Sequence, residues 1–257
     1  MYLQGKTALV TGASSGLGLA TCRALSIAGS RIVAFDLNSE RLVALKIELR
    51  SGVSIHVVDV ADETSVRHGI AAAREAFGTI DIAVNCAGVG DAAKTVSRGQ
   101  PFPIEKWNKV IGINLTGTFN VIRFAAVVMS ENDADPVTGE RGVIINTASG
   151  AATQGQAGQA AYSASKAAII GLTLPVARDL APHGIRVVTV SPGLFETPMV
   201  ATLPSQVVQS LVDKAILFPA RMGHPDEFAA LVRHIAENSY LNATTIDLDG
   251  GARMTSR

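Results

Sequence analysis

The stretch Thr11-Gly12-Ala13-Ser14-Ser15-Gly16-Leu17-Gly18 joins a short β-branched run to a segment with helical periodicity. Gly12 permits a tight turn after the strand, Gly16 lets the backbone approach a diphosphate, and Gly18 lets the helix pack closely on the strand. The amide groups that begin the helix then face a negative ligand, with Ser15 and Leu17 beside it. The stretch predicts a dinucleotide-binding turn, although a glycine-rich turn taken alone is equally compatible with a ligand-free role.

The rest of the chain alternates between short β-branched runs and longer helical patterns. Strands are predicted at Thr7 to Thr11, Arg31 to Phe35, Ser54 to Asp59, Ile82 to Asn85, Val143 to Thr147, Arg186 to Ser191 and Thr245 to Leu248. Helices are predicted at Leu17 to Ala28, Ser39 to Leu49, Glu63 to Phe77, Ile104 to Met129, Gln159 to Leu180 and Pro225 to Glu237. Strands that are apolar on both faces and separated by helices are typical of a parallel sheet covered on both sides. The pattern predicts an α/β Rossmann fold, a doubly wound sheet of seven parallel strands, with residues 1–257 forming a single domain.

Three polar or irregular stretches interrupt this alternation. Residues 91–103 and 131–142 are longer than usual connections and are expected to be surface insertions. Residues 193–224, here called the lid, follow a strand end and carry several prolines. Because ligands bind outside the carboxyl ends of parallel strands, the lid is placed to cover a ligand. Its apolar side chains are expected to line a substrate channel, namely Leu194, Phe195, Met199, Leu203 and Leu217.

Polar residues at the ends of three further strands complete the expected nucleotide site. Asp36 ends the second strand about twenty residues after the glycines, where a carboxylate would accept hydrogen bonds from the adenosine ribose and repel a 2′-phosphate. This placement predicts NAD as the cofactor, although an aspartate also begins turns without binding anything. The other strand ends suit an adenine pocket and the nicotinamide ribose, or plain turn chemistry, and comprise Asp59, Val60, Asn85, Cys86, Ala87 and Gly88.

A second cluster carries the chemistry. Tyr162 and Lys166 are four residues apart on a predicted helix, so both side chains project from one face, and Ser149 follows the fifth strand. An ammonium about 4 Å from a phenolate stabilises it by ~4 kcal/mol at an effective dielectric near 20. Lys166, together with a positive nicotinamide ring, is therefore expected to bring the pKa of Tyr162 toward neutrality. Ser149, Gln156 and Tyr162 are expected to contact the substrate, although Gln156 is equally compatible with a polar loop residue that faces no ligand. Asn114 is expected to hold a water that relays protons through Lys166.

Composition limits the alternatives. Lys plus Arg and Asp plus Glu both total 22, so no charge excess points to nucleic acid or an anionic membrane. No apolar run is expected to reach membrane length, and the chain begins without room for a targeting peptide. The two cysteines, Cys22 and Cys86, suit a reducing compartment, so a cytoplasmic location is expected. The five histidines are dispersed without acidic partners at ligand spacing, so no metal is required.

With these residues in place, the chain resembles the short-chain dehydrogenases/reductases over nearly its whole length. The resemblance rests on the TGASSGLG run from Thr11 to Gly18, Asp36, Asp59, the NCAG run from Asn85 to Gly88, Asn114, Ser149, Tyr162 with Lys166, and Pro192-Gly193. It implies that Ser149, Tyr162 and Lys166 form the catalytic triad, with Asn114 as a fourth member. It also implies that Pro192, Gly193, Phe195 and Thr197 contact the nicotinamide end of the cofactor.

Longer runs narrow the resemblance further. The runs GVIINTAS, GQAAYSASK, LPVARDLAPHGIRV and SPGLFETPM are similar to the type-2 3-hydroxyacyl-CoA dehydrogenases, also grouped with 17β-hydroxysteroid dehydrogenase type 10. This resemblance implies NAD-dependent interconversion of 3-hydroxyacyl-CoA and 3-ketoacyl-CoA by a homotetramer. The alternative enzyme activity is a dehydrogenase of steroids or other secondary alcohols. Only the lid sequence distinguishes this substrate class from acyl-CoA. A non-catalytic NAD-binding scaffold is disfavoured because the triad is intact.

Overall fold

The computed structural model describes residues 1–201 and 205–254, and its centre is a parallel sheet of seven strands. The strands of this sheet are β1 (Thr7–Thr11), β2 (Arg31–Asp36), β3 (Val53–Val57), β4 (Ile82–Asn85), β7 (Gly142–Thr147), β8 (Ile185–Pro192) and β9 (Thr244–Leu248). Their order is β3-β2-β1-β4-β7-β8-β9, and every neighbouring pair is parallel. Every residue of β1, β4, β7 and β8 is buried, as both covered faces require. The predicted fold class is confirmed.

Helices cover both faces of the sheet. They are α1 (Gly16–Ile27), α2 (Ser39–Leu49), α3 (Glu63–Phe77), α4 (Ile104–Ile111), α5 (Thr118–Ser130), α6 (Ala160–Leu180), α7 (Pro198–Ala201), α8 (Ser205–Ala215) and α9 (Pro225–Glu237). One apolar cluster joins Ala8 and Val10 of β1 to α1, α2 and α9, and the opposite cluster joins Leu9 to α3, α5 and α6. Alternate residues of one strand therefore feed two separate cores.

The sheet order reverses direction between β1 and β4. The chain winds outward from β1 through β2 to β3, then returns to β4 on the other side of β1. The connections that leave β1 and β4 therefore diverge and leave a crevice at the carboxyl ends of these strands, the position at which α/β sheets bind ligands.

Several predicted boundaries differ from the observed ones. The helix predicted from Ile104 to Met129 is divided by a π-helical turn, Gly112–Gly117, between α4 and α5. The insertion at residues 91–103 contains a short hairpin of β5 (Val96–Ser97) and β6 (Gln100–Pro101). The third strand ends at Val57, so Asp59 lies just beyond it instead of within it.

The lid is more regular than predicted, because it contains α7 and α8. Its two ends are joined: Glu196 N donates to Gly223 O at 3.0 Å, and Gly223 N donates to Leu194 O at 2.9 Å. The lid is thus a loop that leaves the end of β8 and returns to it. Leu203, predicted to line the substrate channel, and Pro204 lie outside the described residues.

Two helical stretches have the length and hydropathy of a membrane span, contrary to the prediction that no apolar run is long enough. They are Ile104–Ser130 and Ala160–His183, and about half or less of each hydrophobic window is buried within the fold. Both stretches flank the sheet, and core helices of folded domains commonly reach this apolarity because they pack against it.

Candidate active site

A cavity of about 640 Å³ lies at the carboxyl ends of the strands, at the reversal point. Among its walls are all but one of the residues predicted to bind the cofactor, namely Gly12, Ser15, Gly16, Leu17, Gly18, Asp36, Asp59, Val60, Cys86, Ala87, Gly88, Tyr162, Lys166, Pro192, Gly193, Phe195 and Thr197. Ser149 and Gln156, predicted to contact substrate, line the same space. The two clusters recognised in the sequence therefore face one cavity.

The glycine turn is shaped by contacts that a side chain would prevent. A Cβ on Gly18 would lie 2.2 Å from the carbonyl oxygen of Gly12, so α1 packs directly on the end of β1. Gly16 has φ +49° and lines the cavity, close to Thr197 of the lid. The cap residue Ser15 makes no side-chain hydrogen bond to the helix, and the first turn carries no acidic residue. The first amide groups of α1 therefore suit an anionic diphosphate.

Asp36 marks the adenosine end of the cavity. One carboxylate oxygen accepts a hydrogen bond from Ser14 N at 3.0 Å and the other from Asn38 N at 3.0 Å. These contacts fix the carboxylate between the glycine turn and the start of α2. Asp59 is similarly held, since its side chain accepts from Ala61 N at 2.9 Å. Both carboxylates line the cavity beside apolar walls that include Leu37 and Val60.

The end of β4 is tied to the end of β1 through Thr11. Its hydroxyl accepts hydrogen bonds from the backbone N–H groups of Cys86 and Ala87, at 3.1 and 3.0 Å. Cys86 lines the cavity, and burial raises the pKa of its thiol to about 11, so the sulfur is held as a neutral thiol. The strand end thus supplies backbone and small side chains to the cavity wall.

Asn85 is placed differently from the prediction that it binds the cofactor. Its side chain is buried in the sheet and donates to Asn146 Oδ1 on β7 at 2.9 Å. It is absent from the cavity wall because alternate residues of a strand point to opposite faces, and the neighbouring Cys86 takes the position that lines the cavity. The two amides join β4 to β7 beneath the cavity.

Ser149, Tyr162 and Lys166 meet at the other end of the cavity. Ser149 caps a 3₁₀ turn (Gly150–Ala152), where its Oγ accepts from Ala151 N at 3.2 Å, and its side chain is close enough to Tyr162 to lower the pKa of the phenol. Lys166 lies one turn after Tyr162 on α6, and its Nζ donates to Thr147 O at 2.7 Å. The ammonium is 5.8 Å from the centroid of the Tyr162 ring. The predicted proximity of the pair is present.

The pKa values of the pair differ from the expectation. Burial raises the pKa of Tyr162, and the hydrogen bond from Ser149 lowers it only in part. Burial also lowers the pKa of Lys166 to about 8. The ammonium is bonded to Thr147 O and lies 5.8 Å from the ring centroid, and its attraction for a phenolate does not offset the desolvation of Tyr162. The chain by itself therefore favours a neutral phenol, and a further positive charge is needed to ionise it near neutrality.

Asn114, predicted as the fourth catalytic residue, lies behind the cavity wall instead of on it. Its amide accepts from Val89 N at 2.8 Å and donates to Val89 O at 3.0 Å and to Ser165 Oγ at 3.1 Å. The side chain is fully buried in the π-helical turn. Asn114 therefore joins the loop after β4 to the helix that carries Tyr162.

The lid and the chain after β9 close the cavity. Leu194, Phe195 and Met199 line it as predicted, whereas Leu217 does not, since its side chain is 74% exposed and packs outward near Gly251. Other wall residues were not predicted from the sequence, and they include Gln154, Leu211, Asp249, Ala252 and Met254. The spacing of Val208, Leu211, Val212 and Ala215 indicates an amphipathic helix and was the available signal for Leu211.

Within residues 1–201 and 205–254, no group of three or more His, Cys, Asp or Glu side chains is arranged to hold a metal ion. The polar groups that line the cavity include hydroxyls, amides, the ammonium of Lys166 and the carboxylates of Asp36, Asp59, Asp91 and Asp249. This set suits a nucleotide and a polar substrate oxygen.

Comparison with known proteins agrees with this geometry. Residues 6–208 match the family model of the short chain dehydrogenases. The 3-hydroxyacyl-CoA dehydrogenases type-2 of Bos taurus and Homo sapiens are 50% and 48% identical, each covering 98% of this chain and 97% of the relative. The crystal structure of 3-hydroxyacyl-CoA dehydrogenase type-2 from Mycobacterium avium superposes with a TM-score of 0.93 at 38% identity, covering 98% of both chains. The chain therefore belongs to the short-chain dehydrogenase family and is an oxidoreductase of the kind that generally uses NAD(P).

Proposed function

We propose that this chain is an NAD-dependent 3-hydroxyacyl-CoA dehydrogenase with Tyr162 as its acid/base. The observation that carries the proposal is that Ser149, Tyr162 and the glycine turn line one cavity, with the side chain of Ser149 close enough to lower the pKa of Tyr162. A substrate oxygen in contact with both hydroxyls would lie in the same cavity as the nucleotide site. This arrangement argues against a non-catalytic scaffold, because a nucleotide-binding role alone needs neither hydroxyl.

The proposed reaction moves a proton at the hydroxyl of Tyr162. In the oxidation direction the phenolate accepts the proton of the substrate alcohol, and in the reduction direction the phenol donates a proton to the forming alkoxide. Ser149 orients the same oxygen. When bound, NAD would supply the carbon that accepts or releases hydride, and its oxidised nicotinamide ring would add a positive charge that favours the phenolate. Lys166 is held by Thr147 beneath Tyr162 and adds a second positive charge.

NAD is preferred over NADP in this proposal because of Asp36. The glycine turn fits the diphosphate, and the carboxylate at the adenosine end is already fixed by Ser14 and Asn38. A fixed carboxylate can accept from ribose hydroxyls without reorganising, and it repels a 2′-phosphate. Residues at the opposite end, Pro192, Gly193, Phe195 and Thr197, are proposed to hold the nicotinamide amide.

An acyl-CoA thioester is the proposed substrate. The cavity beside Tyr162 is bordered by apolar lid residues, including Leu194 and Met199, and by Gln156. An apolar channel suits an acyl chain, while the bulky CoA nucleotide requires a side that opens to solvent. The names of the Bos taurus and Homo sapiens relatives support the same substrate class. Hydroxysteroids and other secondary alcohols are the competing substrates.

Initial rates decide between these substrates. Acetoacetyl-CoA with NADH should give a higher kcat/KM than any ketosteroid, and 3-hydroxybutyryl-CoA with NAD should be oxidised in the reverse direction. Tyr162→Phe is the control that assigns the rate to this site. A kcat/KM for a steroid tenfold above that for acetoacetyl-CoA would overturn the substrate class and leave the dehydrogenase chemistry standing.

A homotetramer and a cytoplasmic location complete the proposal. Phe119, Val127 and Leu174 on α5 and α6 are each more than two-fifths exposed, and apolar side chains on neighbouring central helices favour association with further copies. Both cysteines are free thiols, which supports a reducing compartment. Nucleic acid and membrane are not proposed as partners, because the net charge is zero.

A further inference from the structure

Residues 249–254, here called the strap, cross the substrate end of the cavity after β9. The strap begins with a tight turn in which Gly251 N donates to Asp249 Oδ1 at 2.8 Å and Ala252 N donates to Asp249 O at 3.1 Å. Three of its residues, Asp249, Ala252 and Met254, form part of the cavity wall. The strap therefore borders the space that the substrate must enter.

The strap is attached to the lid by backbone hydrogen bonds. Arg253 N donates to Ala215 O at the end of α8 at 2.8 Å, and the N–H groups of Leu217 and Phe218 donate to Gly250 O at 3.2 and 3.1 Å. Ala252 also packs with Val212 and Ile216 in a small apolar cluster separate from the two main cores. Movement of the strap must therefore move the end of α8.

A side-chain hydrogen bond attaches the strap to the loop that follows Ser149. Met254 N donates to Gln154 Oε1 at 2.8 Å, across 100 residues of sequence. Gln154 follows Ser149 by five residues and itself lines the cavity. The bond thus joins the loop after Ser149 to Met254 at the edge of the cavity. Through the strap, this loop is also connected to the end of α8.

We propose that Gln154 is a specificity-determining residue that limits acyl-chain length by holding the strap across the cavity. The inference rests on the proposed function, because it assigns the wall residue for the acyl channel. With the bond made, Met254 and Ala252 bound the channel; with the bond lost, the strap and the end of α8 are free to retreat together. A longer acyl chain then fits, whereas a short chain that does not reach this wall is little affected.

The test compares Gln154→Ala, which removes the acceptor, with Gln154→Glu, which keeps an oxygen in place. A neutral hydrogen bond of ordinary strength shifts an opening equilibrium by roughly fivefold. Gln154→Ala should therefore raise the ratio of kcat/KM for 3-ketodecanoyl-CoA to that for acetoacetyl-CoA by about fivefold, and Gln154→Glu should leave it within about twofold of the unmodified protein. The ratio cancels any effect on the CoA portion, which both substrates share.

Hydrogen–deuterium exchange provides a readout that does not depend on activity. Peptides covering 211–218 and 249–254 should exchange faster in Gln154→Ala than in the unmodified protein and in Gln154→Glu, while a peptide covering β1 should not change. Unchanged exchange in Gln154→Ala would show that the bond does not hold the strap.

The role proposed for Gln154 and the proposed function are contradicted by different results. If Gln154→Ala is active and its length ratio is unchanged, this inference is wrong while the proposed function stands. If the unmodified protein reduces none of the 3-ketoacyl-CoA substrates, the proposed function fails, and the assignment of acyl selectivity to Gln154 fails with it.

Discussion

The Nζ atom of Lys166 lies 2.7 Å from the carbonyl oxygen of Thr147. Thr147 is the last residue of β7 and precedes Ser149 by two residues. This hydrogen bond attaches α6, the helix that carries Tyr162, to the end of β7. The backbone carbonyl of Thr147 holds the ammonium beneath the tyrosine ring, and the ammonium has no direct hydrogen bond to the phenol. Its effect on Tyr162 is therefore a through-space attraction that competes with burial, and a titration can measure the balance.

Tyrosinate absorbance should show the phenol of Tyr162 ionising above the usual pKa of a tyrosine in the ligand-free protein, because burial raises that pKa. The difference between the unmodified protein and Tyr162→Phe isolates this residue. With NAD⁺ bound the pKa should fall more than with NADH, since only the oxidised ring is positively charged. Oxidation should accordingly accelerate as pH rises through the pKa of the complex. Equal titrations with both nucleotides would contradict this assignment of the second charge.

Tyr162→Phe should lower turnover by roughly a hundredfold to ten-thousandfold, the usual contribution of a positioned acid/base. NADH affinity, measured by fluorescence titration, should change little, because the hydroxyl is proposed to contact the substrate oxygen and not the nucleotide. Lys166→Ala should impair both quantities, since its ammonium also joins α6 to the end of β7. Near-normal turnover in Tyr162→Phe would remove this residue from the chemistry.

Asp36→Ala should narrow the preference for NAD over NADP by at least roughly tenfold in kcat/KM, because it removes the repulsion of a 2′-phosphate. Asp36→Asn is the matched control, since it removes the charge and keeps an acceptor for the backbone of Ser14 or Asn38. Both variants should gain relative NADP activity if charge is responsible. An unmodified protein that used both cofactors equally well would show that this carboxylate does not discriminate between them.

Gly18→Ala should lower the free energy of unfolding by on the order of 3 kcal/mol, since the new methyl group meets rigid backbone at Gly12. Gly112→Ala is the control, because a Cβ there meets nothing within 4 Å and alanine favours a helix by about 1 kcal/mol. Denaturant unfolding of both variants provides the measurement. Equal stability of the two would show that α1 can move away from β1 without cost.

Light scattering of the purified protein should give about four times the chain mass of 26.7 kDa at micromolar concentration. Phe119→Glu should reduce this mass, because it places a charge among apolar side chains proposed to meet another copy. Arg67→Glu on α3 is a control for charge change on a different helix. A monomer in the unmodified protein would contradict the homotetramer.

Local patterns predicted the parts of the structure that local sequence determines. The strands, the glycine turn and the four-residue spacing of Tyr162 and Lys166 each depend on residues close together in the chain. The division of the helix bearing Asn114 was not predicted, because a π-helical turn arises from the contacts that its amide makes with Val89 and Ser165.

Long-range contacts account for the other differences. Asn85 ends a strand next to residues that line the cavity, and only its pairing with Asn146 on the adjacent strand shows that it is interior. The strap has no periodicity, and its position depends on Gln154, 100 residues earlier. The lid prolines indicated an irregular loop, yet α8 forms because its apolar face packs on the strap.

The cavity has walls drawn from Gly12 at one extreme of the chain and Met254 at the other. During synthesis, a nascent chain exposes its glycine turn long before the strap leaves the ribosome, so a complete binding pocket exists only after β9 has joined the sheet. Nucleotide binding therefore favours the folded chain, because the residues proposed to hold the nucleotide run from Gly12 to Thr197 and come together only when β1 to β8 have paired. At a nucleotide concentration a hundred times its dissociation constant, this linkage adds about 2.7 kcal/mol against global unfolding.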